Sequence, residues 1–233
     1  MRVDPSTAAA TARSILSCPA TLDLTVDGVD DVLAECHDVA LQDQDGVPTF
    51  SCPSDRLLAR AASGRGRRAV LSLESGVGAP GSAERSSILS LGGRLVRGGR
   101  DACECCSETR DVIVLVVERV ALTPPSGGTP VQLSVEDFSA PEHRLNRGFL
   151  QRCVEHASQC HQDELRHAVA AIVDRPVREV AGVALSDLTT RGVQVRWVDP
   201  DGAHGRDVAF PHAAVTPTEL GELLRRELSA GLC

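Results

Sequence analysis

The run Asp111-Val112-Ile113-Val114-Leu115-Val116-Val117 is apolar on both of its alternating faces. That is the pattern of a central strand with packing on either side. On its N-terminal side, Ser86 to Val96 reads as a longer strand carrying Gly92-Gly93, a pair that marks a bulge or sharp bend. Before it come a strand from Ala69 to Glu74 and a helix over Ser54-Asp55-Arg56-Leu57-Leu58-Ala59-Arg60-Ala61-Ala62, with Ser54 or Asp55 as cap and Gly64 as stop. Further out, the short strand Val47 to Cys52 meets the strand-like run Val32 to Leu41 across the turn Asp43-Gln44-Asp45-Gly46. Leu22, Leu24 and Val26 alternate with polar residues as another strand, and Ser6 to Ser17 has helical composition between Pro5 and Cys18-Pro19. On the C-terminal side, Pro124 to Gly128 forms a turn and Pro130 to Ser134 an edge strand. Six or seven strands and two short helices within the first ~140 residues predict a small barrel rather than a parallel sheet.

The texture changes after Ser139-Ala140-Pro141. A long helix is expected from Glu142 to about Val173, then strands Val177 to Leu185, Val193 to Val198 and Arg206 to Phe210, the last two joined by Asp199-Pro200-Asp201-Gly202. Thr216-Pro217-Thr218-Glu219 is the opening of a final helix to Leu228, with Thr216 as cap and Glu219 completing a capping box. The fold class is therefore α+β, with a barrel domain over 1–140 and a second domain over 141–233 built from a long helix, a three-stranded antiparallel sheet and a C-terminal helix.

Composition narrows the function. The 233 residues carry 32 acids against 24 bases, a formal charge of -8, which argues against a nucleic-acid backbone as partner. No apolar stretch approaches the ~20 residues that span a bilayer, so a cytoplasmic location with no membrane partner is expected. Tyr is absent, and Phe50, Phe138, Phe149, Phe210 and Trp197 are the whole aromatic set, leaving few rings on which a flavin or base can stack. Nine cysteines in such a chain read as reduced thiols, with Cys18, Cys36 and Cys52 as small core hydrophobes.

Three clusters can carry chemistry. On a continuous helix, Leu150, Val154, Ala157, His161, Leu165, Ala168 and Ile172 share one apolar face at about 100° per residue. A second column holds Cys153, His156, Cys160, Glu164 and His167, of which Cys153, His156 and Cys160 lie close enough to share one metal ion. The ordinary alternative is a partly buried helix flank of packed thiols and hydrogen-bonded imidazoles. Cys103, Cys105 and Cys106 form a dense thiol loop that can bind a soft metal or sense oxidants, or be a variable reduced loop. Arg65, Arg67 and Arg68, spaced by Gly64 and Gly66, can hold a phosphate or a haem propionate, or be a solvated turn. The hydrolase and zinc-protease signatures GxSxG and HExxH are missing.

Cys52-Pro53-Ser54-Asp55-Arg56-Leu57-Leu58-Ala59-Arg60 followed by Ala69-Val70-Leu71-Ser72-Leu73 resembles the pyridoxamine-phosphate-oxidase-like, FMN-binding type of split barrel. The region from about Asn146 to Leu228 is similar to the domain that follows this barrel in HugZ-type haem-utilisation proteins and in the glutamyl-tRNA-reductase-binding protein. Glu155-His156, His161, Glu164-Leu165, then Gly182 to Gly192 and Val208-Ala209-Phe210-Pro211 carry that likeness. The resemblance implies a homodimer formed through the barrels and a link to haem binding, haem breakdown or the regulation of tetrapyrrole enzymes. It maps the family's two helix histidines onto His156 and His161 as haem contacts. On a straight helix these two lie about 140° apart, too far round for one ion to take both.

Three functions follow. The first is a haem-binding or haem-homeostasis protein without strong catalysis, using a helix histidine and arginines for the propionates. The second is a flavin- or deazaflavin-dependent oxidoreductase or a haem-degrading enzyme, with FMN or haem at the dimeric barrel interface. The third is a dimeric interaction or regulatory module with a decayed ligand site, binding a protein partner in tetrapyrrole or iron metabolism.

Overall fold

The computed structural model describes residues 4–33, 40–102, 109–125 and 127–230. The chain divides into two compact units, Met1–Gly148 and Phe149–Cys233. The division falls between Gly148 and Phe149, where the sequence places it at 140/141, because the connecting residues pack on the first unit's opening helix. Asn146 Nδ2 donates to Ser17 Oγ at 2.9 Å. A Cβ on Gly148 would lie 1.9 Å from the Ser14 carbonyl oxygen, so only glycine fits there.

The first unit is a seven-stranded antiparallel sheet with three helices. Helix α1 (Pro5–Ser17) starts on Asp4, whose carboxylate accepts from Thr7 N, with Pro5 in the first turn. The strands are β1 (Pro19–Val26), β2 (Ala40–Gln44), β3 (Val47–Pro53), β4 (Arg68–Ser75), β5 (Ile88–Ala102), β6 (Thr109–Thr123) and β7 (Val131–Leu133). Helix α2 (Leu57–Ala61) and α3 (Val135–Phe138) complete it. The order is β1-β4-β5-β6-β3-β2, with β7 also on β6. β6 pairs with β5 along its length, while its other edge is shared: Thr49 to Pro53 face Val114 to Arg110, and Val131 to Leu133 face Leu122 to Val120. Among the described residues no ladder joins β1 to β2, so the sheet is left open, in keeping with the split barrel that the resemblance implies.

Local rules explain most of this. Gln44 pairs with Val47, which leaves Asp45-Gly46 as a two-residue loop with both φ values positive, the tight hairpin that Asp-Gly favours. The ladder slips at Gly92/Gly93, as the glycine pair predicts, and a Cβ on Gly93 would meet the Val116 carbonyl oxygen at 2.1 Å. Leu71, Leu73, Leu89, Leu91, Leu95, Ile113, Leu115, Phe50 and Phe138 form a fully buried core.

Three expectations for this unit are corrected. β6 is central in the sheet but not buried on both faces: Ile113 and Leu115 are buried, whereas Val116 is 47% exposed, because only one face of the sheet looks into the barrel. α2 is capped at Arg56 rather than at Ser54 or Asp55, and no side chain bonds to its first turn. Val32 and Leu33 lie in a turn and the strand starts at Ala40; residues 34–39, with Cys36, are outside the described residues.

The second unit contains α5 (Gln162–Ile172), β8 (Gly182–Thr189), β9 (Gly192–Asp199), β10 (Gly202–Ala209) and α6 (Pro217–Ala230), together with α4 (Arg147–Cys160), which begins at the end of the first unit. The sheet order is β10-β9-β8, antiparallel throughout. Residues 177–179 form a single 3-10 turn, so β8 starts later than the sequence suggests. At α6, Thr216 Oγ1 accepts from Glu219 N at 3.2 Å, and the Glu219 carboxylate reaches back to Val215 N at 2.8 Å, one residue earlier than an ideal capping box. Val183, Leu185, Val193 and Val195 of the sheet, Leu165, Ala168 and Val169 of α5 and Leu220 and Leu223 of α6 are buried, with α5 packed against both β8 and α6.

The single helix expected over 142–173 is two helices. Residues 141–143 are a 3-10 turn, α4 starts at Arg147, and His161 breaks the run with φ -121° and ψ 34°. The break has a partner. β8 is a sheet edge, and its unpaired side is met by Ser158 and Gln162. Ser158 Oγ accepts from Leu185 N at 3.2 Å, while the Gln162 amide donates to the carbonyls of both Ser158 and Val183 and accepts weakly from Val183 N. Bending at His161 thus turns the helix onto the strand edge and satisfies backbone groups that would otherwise be left open.

Candidate functional site

The bend decides the geometry of the histidines. His161, Glu164, Leu165 and Ala168 stand at i, i+3, i+4 and i+7 along the start of α5. Gly221, Leu224, Arg225 and Leu228 repeat that spacing on α6, so each helix presents one continuous stripe. The two stripes, with His156 and Ala157 of α4 and Leu185 of β8, line an open pocket of about 490 Å³ whose charged and imidazole side chains are all exposed. Its walls are mostly leucine and alanine, and its polar groups are two imidazoles, one carboxylate and one guanidinium. This is the size and chemistry of a small-molecule pocket, apolar with a few placed polar groups.

Because the helix is not straight, the 140° separation expected between His156 and His161 does not apply. Their ring centroids lie 5.1 Å apart with an interplanar angle of 78°, edge against face. His161 Nδ1 is 3.7 Å from Glu164 Oε1. Arg225 forms no ion pair among the described residues and is available to an anion. The structure therefore brings together the two histidines that the sequence singles out and adds Glu164 and Arg225. The sequence analysis missed Arg225, although the i, i+3, i+4, i+7 stripe in Gly221 to Leu228 was the signal that would have found it.

The other candidates fall elsewhere. Among the described residues, no three of His, Cys, Asp and Glu gather to hold a metal ion, so Cys153, His156 and Cys160 do not form the shared site their helical spacing suggests. Burial pushes the Cys153 thiol up, partly offset by the charge of Arg152. Cys160 is exposed at the end of α4, and His167 Nδ1 lies 2.7 Å from the Asp163 carbonyl oxygen. Cys103, Cys105 and Cys106 lie outside the described residues.

Arg65, Arg67 and Arg68 belong to the first unit, the first two in the turn between α2 and β4 and Arg68 at the start of β4. Gly64 and Gly66 both take φ +67°, and a Cβ on Gly66 would sit 1.9 Å from the Leu95 carbonyl oxygen. The Arg67 guanidinium is engaged, donating to the Asp27 and Gly28 carbonyls at 3.0 and 3.4 Å. It closes the end of β1 onto the turn.

The protein is thus an α+β chain with an open, split-barrel sheet followed by a three-stranded unit that carries an open, imidazole-lined pocket. No protein-family profile matches the chain, and no curated protein matches it. Among solved structures it is similar to a heme-binding protein from Mycobacterium smegmatis, at 15% identity and a TM-score of 0.41, over 99% of this chain and 98% of that one. It is also similar to Hcp1 from Salmonella typhimurium, at 14% identity and a TM-score of 0.28, over 48% of this chain and 89% of that one. Both likenesses are distant, and the functional argument rests on the chain's own residues. No helix among the described residues is long and apolar enough to cross a membrane.

Proposed function

We propose that the protein binds haem in the pocket of its second unit, in the role of haem carriage or homeostasis. The observation that supports this most directly is the convergence of His156 and His161 on a leucine-lined cavity that also presents Arg225. Haem asks for that combination: an imidazole nitrogen for the iron, apolar walls for the macrocycle and a cation for the propionates. Haem bound here would supply an iron centre; the chain's contribution is to hold, orient and partly desolvate it. A flavin is less well served, since no Phe or Trp lines the cavity to stack on a ring system. The reading agrees with the HugZ-type resemblance of the motifs and with a protein partner in tetrapyrrole or iron metabolism.

The test is a titration of purified apo-protein with ferric haem, followed in the Soret region. A saturable shift at one haem per chain is expected. A featureless, non-saturating response would remove the proposal. Pairing of two copies through the outer sheet face, where Val70 and Val116 stand 43% and 47% exposed, belongs to the same proposal. Sedimentation equilibrium checks it: a dimer that Val116→Glu converts to monomer is expected, and a monomeric parent chain would dismiss it.

A further inference from the structure

Two imidazoles in one pocket invite the reading that both ligate one iron, from opposite faces of the macrocycle. The ring geometry opposes this. An imidazole nitrogen bonds a first-row metal at about 2 Å and lies about 1.1 Å from its ring centroid, so two rings flanking one iron need centroids about 6 Å apart with the metal on the line between them. The His156 and His161 centroids are 5.1 Å apart, edge on face, which is direct contact between the rings. A porphyrin plane has no space between them, so the two histidines stand on the same side of any ligand in the cavity.

They are also not equivalent. His161 opens α5, and Glu164 one turn on places a carboxylate oxygen 3.7 Å from His161 Nδ1. At that length the contact is at ion-pair rather than hydrogen-bond distance; a carboxylate that closes onto Nδ1 when a metal binds leaves Nε2 as the free donor, the arrangement found behind metal-bound histidines. His156 has no such carboxylate partner among the described residues; its ring instead abuts that of His161. On the opposite side of the pocket, the α6 stripe offers Leu224 and Leu228, which carry no metal-ligating atom, and Arg225, which is cationic.

Resting on the haem reading above, we infer that His161 is the single axial ligand, oriented by Glu164 and buttressed by His156, and that the opposite face of the haem is left open to a small exogenous ligand such as carbon monoxide or cyanide. Glu164 and His156 are then positioning residues. Contact between the two rings and, among the described residues, the lack of a metal-ligating atom on the α6 stripe carry the assignment.

The experiment uses the full chain. Ferric haem is titrated into the parent protein, His156→Ala, His161→Gly and Glu164→Gln, and the reduced complexes are exposed to carbon monoxide. The parent is expected to give a five-coordinate, high-spin ferric spectrum and to take up one carbon monoxide per haem. His156→Ala is expected to keep haem affinity within about threefold, whereas His161→Gly loses it by about tenfold or more and regains it with millimolar imidazole. Glu164→Gln is expected to keep haem but to raise its reduction potential, because an anion behind the ligand is removed. A low-spin, six-coordinate parent spectrum that becomes high-spin in His156→Ala overturns the inference while leaving haem binding intact. So does a His161→Gly variant that binds as the parent does. A parent chain that takes up no haem overturns the functional reading itself and this inference with it.

Discussion

Arg13 of α1 is 1% exposed and lays its guanidinium across both carboxylate oxygens of Asp43 in β2, with Nη2 3.2 and 3.1 Å from Oδ1 and Oδ2 and Nε 3.3 Å from Oδ2. The same arginine donates to the Phe138 carbonyl at 3.3 Å and lies 5.7 Å from the centre of the Phe138 ring. Asp43 in turn accepts from Ser17 Oγ and from Gly46 N, both at 2.7 Å. One buried ion pair therefore pins α1, the β2-β3 hairpin and α3 together, with nearly every polar atom of the pair satisfied.

Removing one partner should cost more than removing both. Asp43→Ala strands a buried guanidinium and is expected to lower the unfolding free energy by about 3 kcal/mol. The double variant Arg13→Met, Asp43→Leu should recover at least about 1 kcal/mol of that, since it leaves no unpaired charge. Urea denaturation of the single and double variants reads this directly. Equal stability of Asp43→Ala and the parent would show that the pair contributes nothing.

Asp111 makes the fold sensitive to acid. Its carboxylate is 1% exposed on β6, and burial pushes its pKa up. Hydrogen bonds from Arg97 and Ser54 and the charges of Arg97 and Arg100 outweigh that and hold it below the usual carboxylate value. A pKa lower in the folded than in the unfolded chain means that the contribution is fully present above the unfolded value of about 3.9 and is lost as pH falls through the folded value. Asp111→Asn should therefore flatten the acid limb of stability against pH below about 4, while lowering stability at neutral pH. Thermal melts between pH 3 and 7 check it, and parallel curves for the two proteins would exclude Asp111 as the group responsible.

The bend at His161 depends on Gln162 more than on the histidine. Gln162→Ala removes the amide that serves the Ser158 and Val183 carbonyls and is expected to destabilise the second unit by about 1–2 kcal/mol. Faster hydrogen exchange at Val183 N and Leu185 N should accompany the loss, because the edge of β8 opens. Gln162→Glu should be at least as harmful, since a carboxylate cannot donate to either carbonyl. Unchanged exchange in β8 in both variants would contradict this account of the bend.

The parts of the fold that obey local rules were legible without coordinates. Asp45-Gly46 announces its hairpin, Gly92-Gly93 its bulge, and Thr216 to Glu219 the start of α6, because in each case a short-range steric or capping requirement selects the residue. The break at His161 was not legible. Nothing in Cys160-His161-Gln162 disfavours a helix, and the bend arises from an edge strand that lies more than twenty residues further along the chain. That one tertiary override also displaced the metal reading. A straight helix lines up Cys153, His156 and Cys160 and separates the two histidines, whereas the bent one brings the histidines into contact. The burial of β6 was misjudged for a related reason: valine on an outward face looks the same in sequence whether or not another layer covers it.

Arg225 is the residue whose role the α6 stripe predicts most sharply. Among the described residues it is the one guanidinium that lines the pocket, it sits one position from Leu224, and no carboxylate is paired with it. A propionate brought into the pocket would meet it as a charge-assisted contact, which contributes about 1 kcal/mol because Arg225 is exposed and solvent screens the pair. Arg225→Gln should therefore weaken haem binding by about fivefold, with an unchanged Soret position because the iron ligand is untouched. Arg67→Gln gives the contrast. That guanidinium is committed to the carbonyls of Asp27 and Gly28, so its loss should lower the melting temperature and leave haem affinity as it was. Haem titrations of the two variants beside their thermal melts separate the roles: an affinity loss in Arg67→Gln with none in Arg225→Gln would move the anion-binding end of the site to the turn before β4.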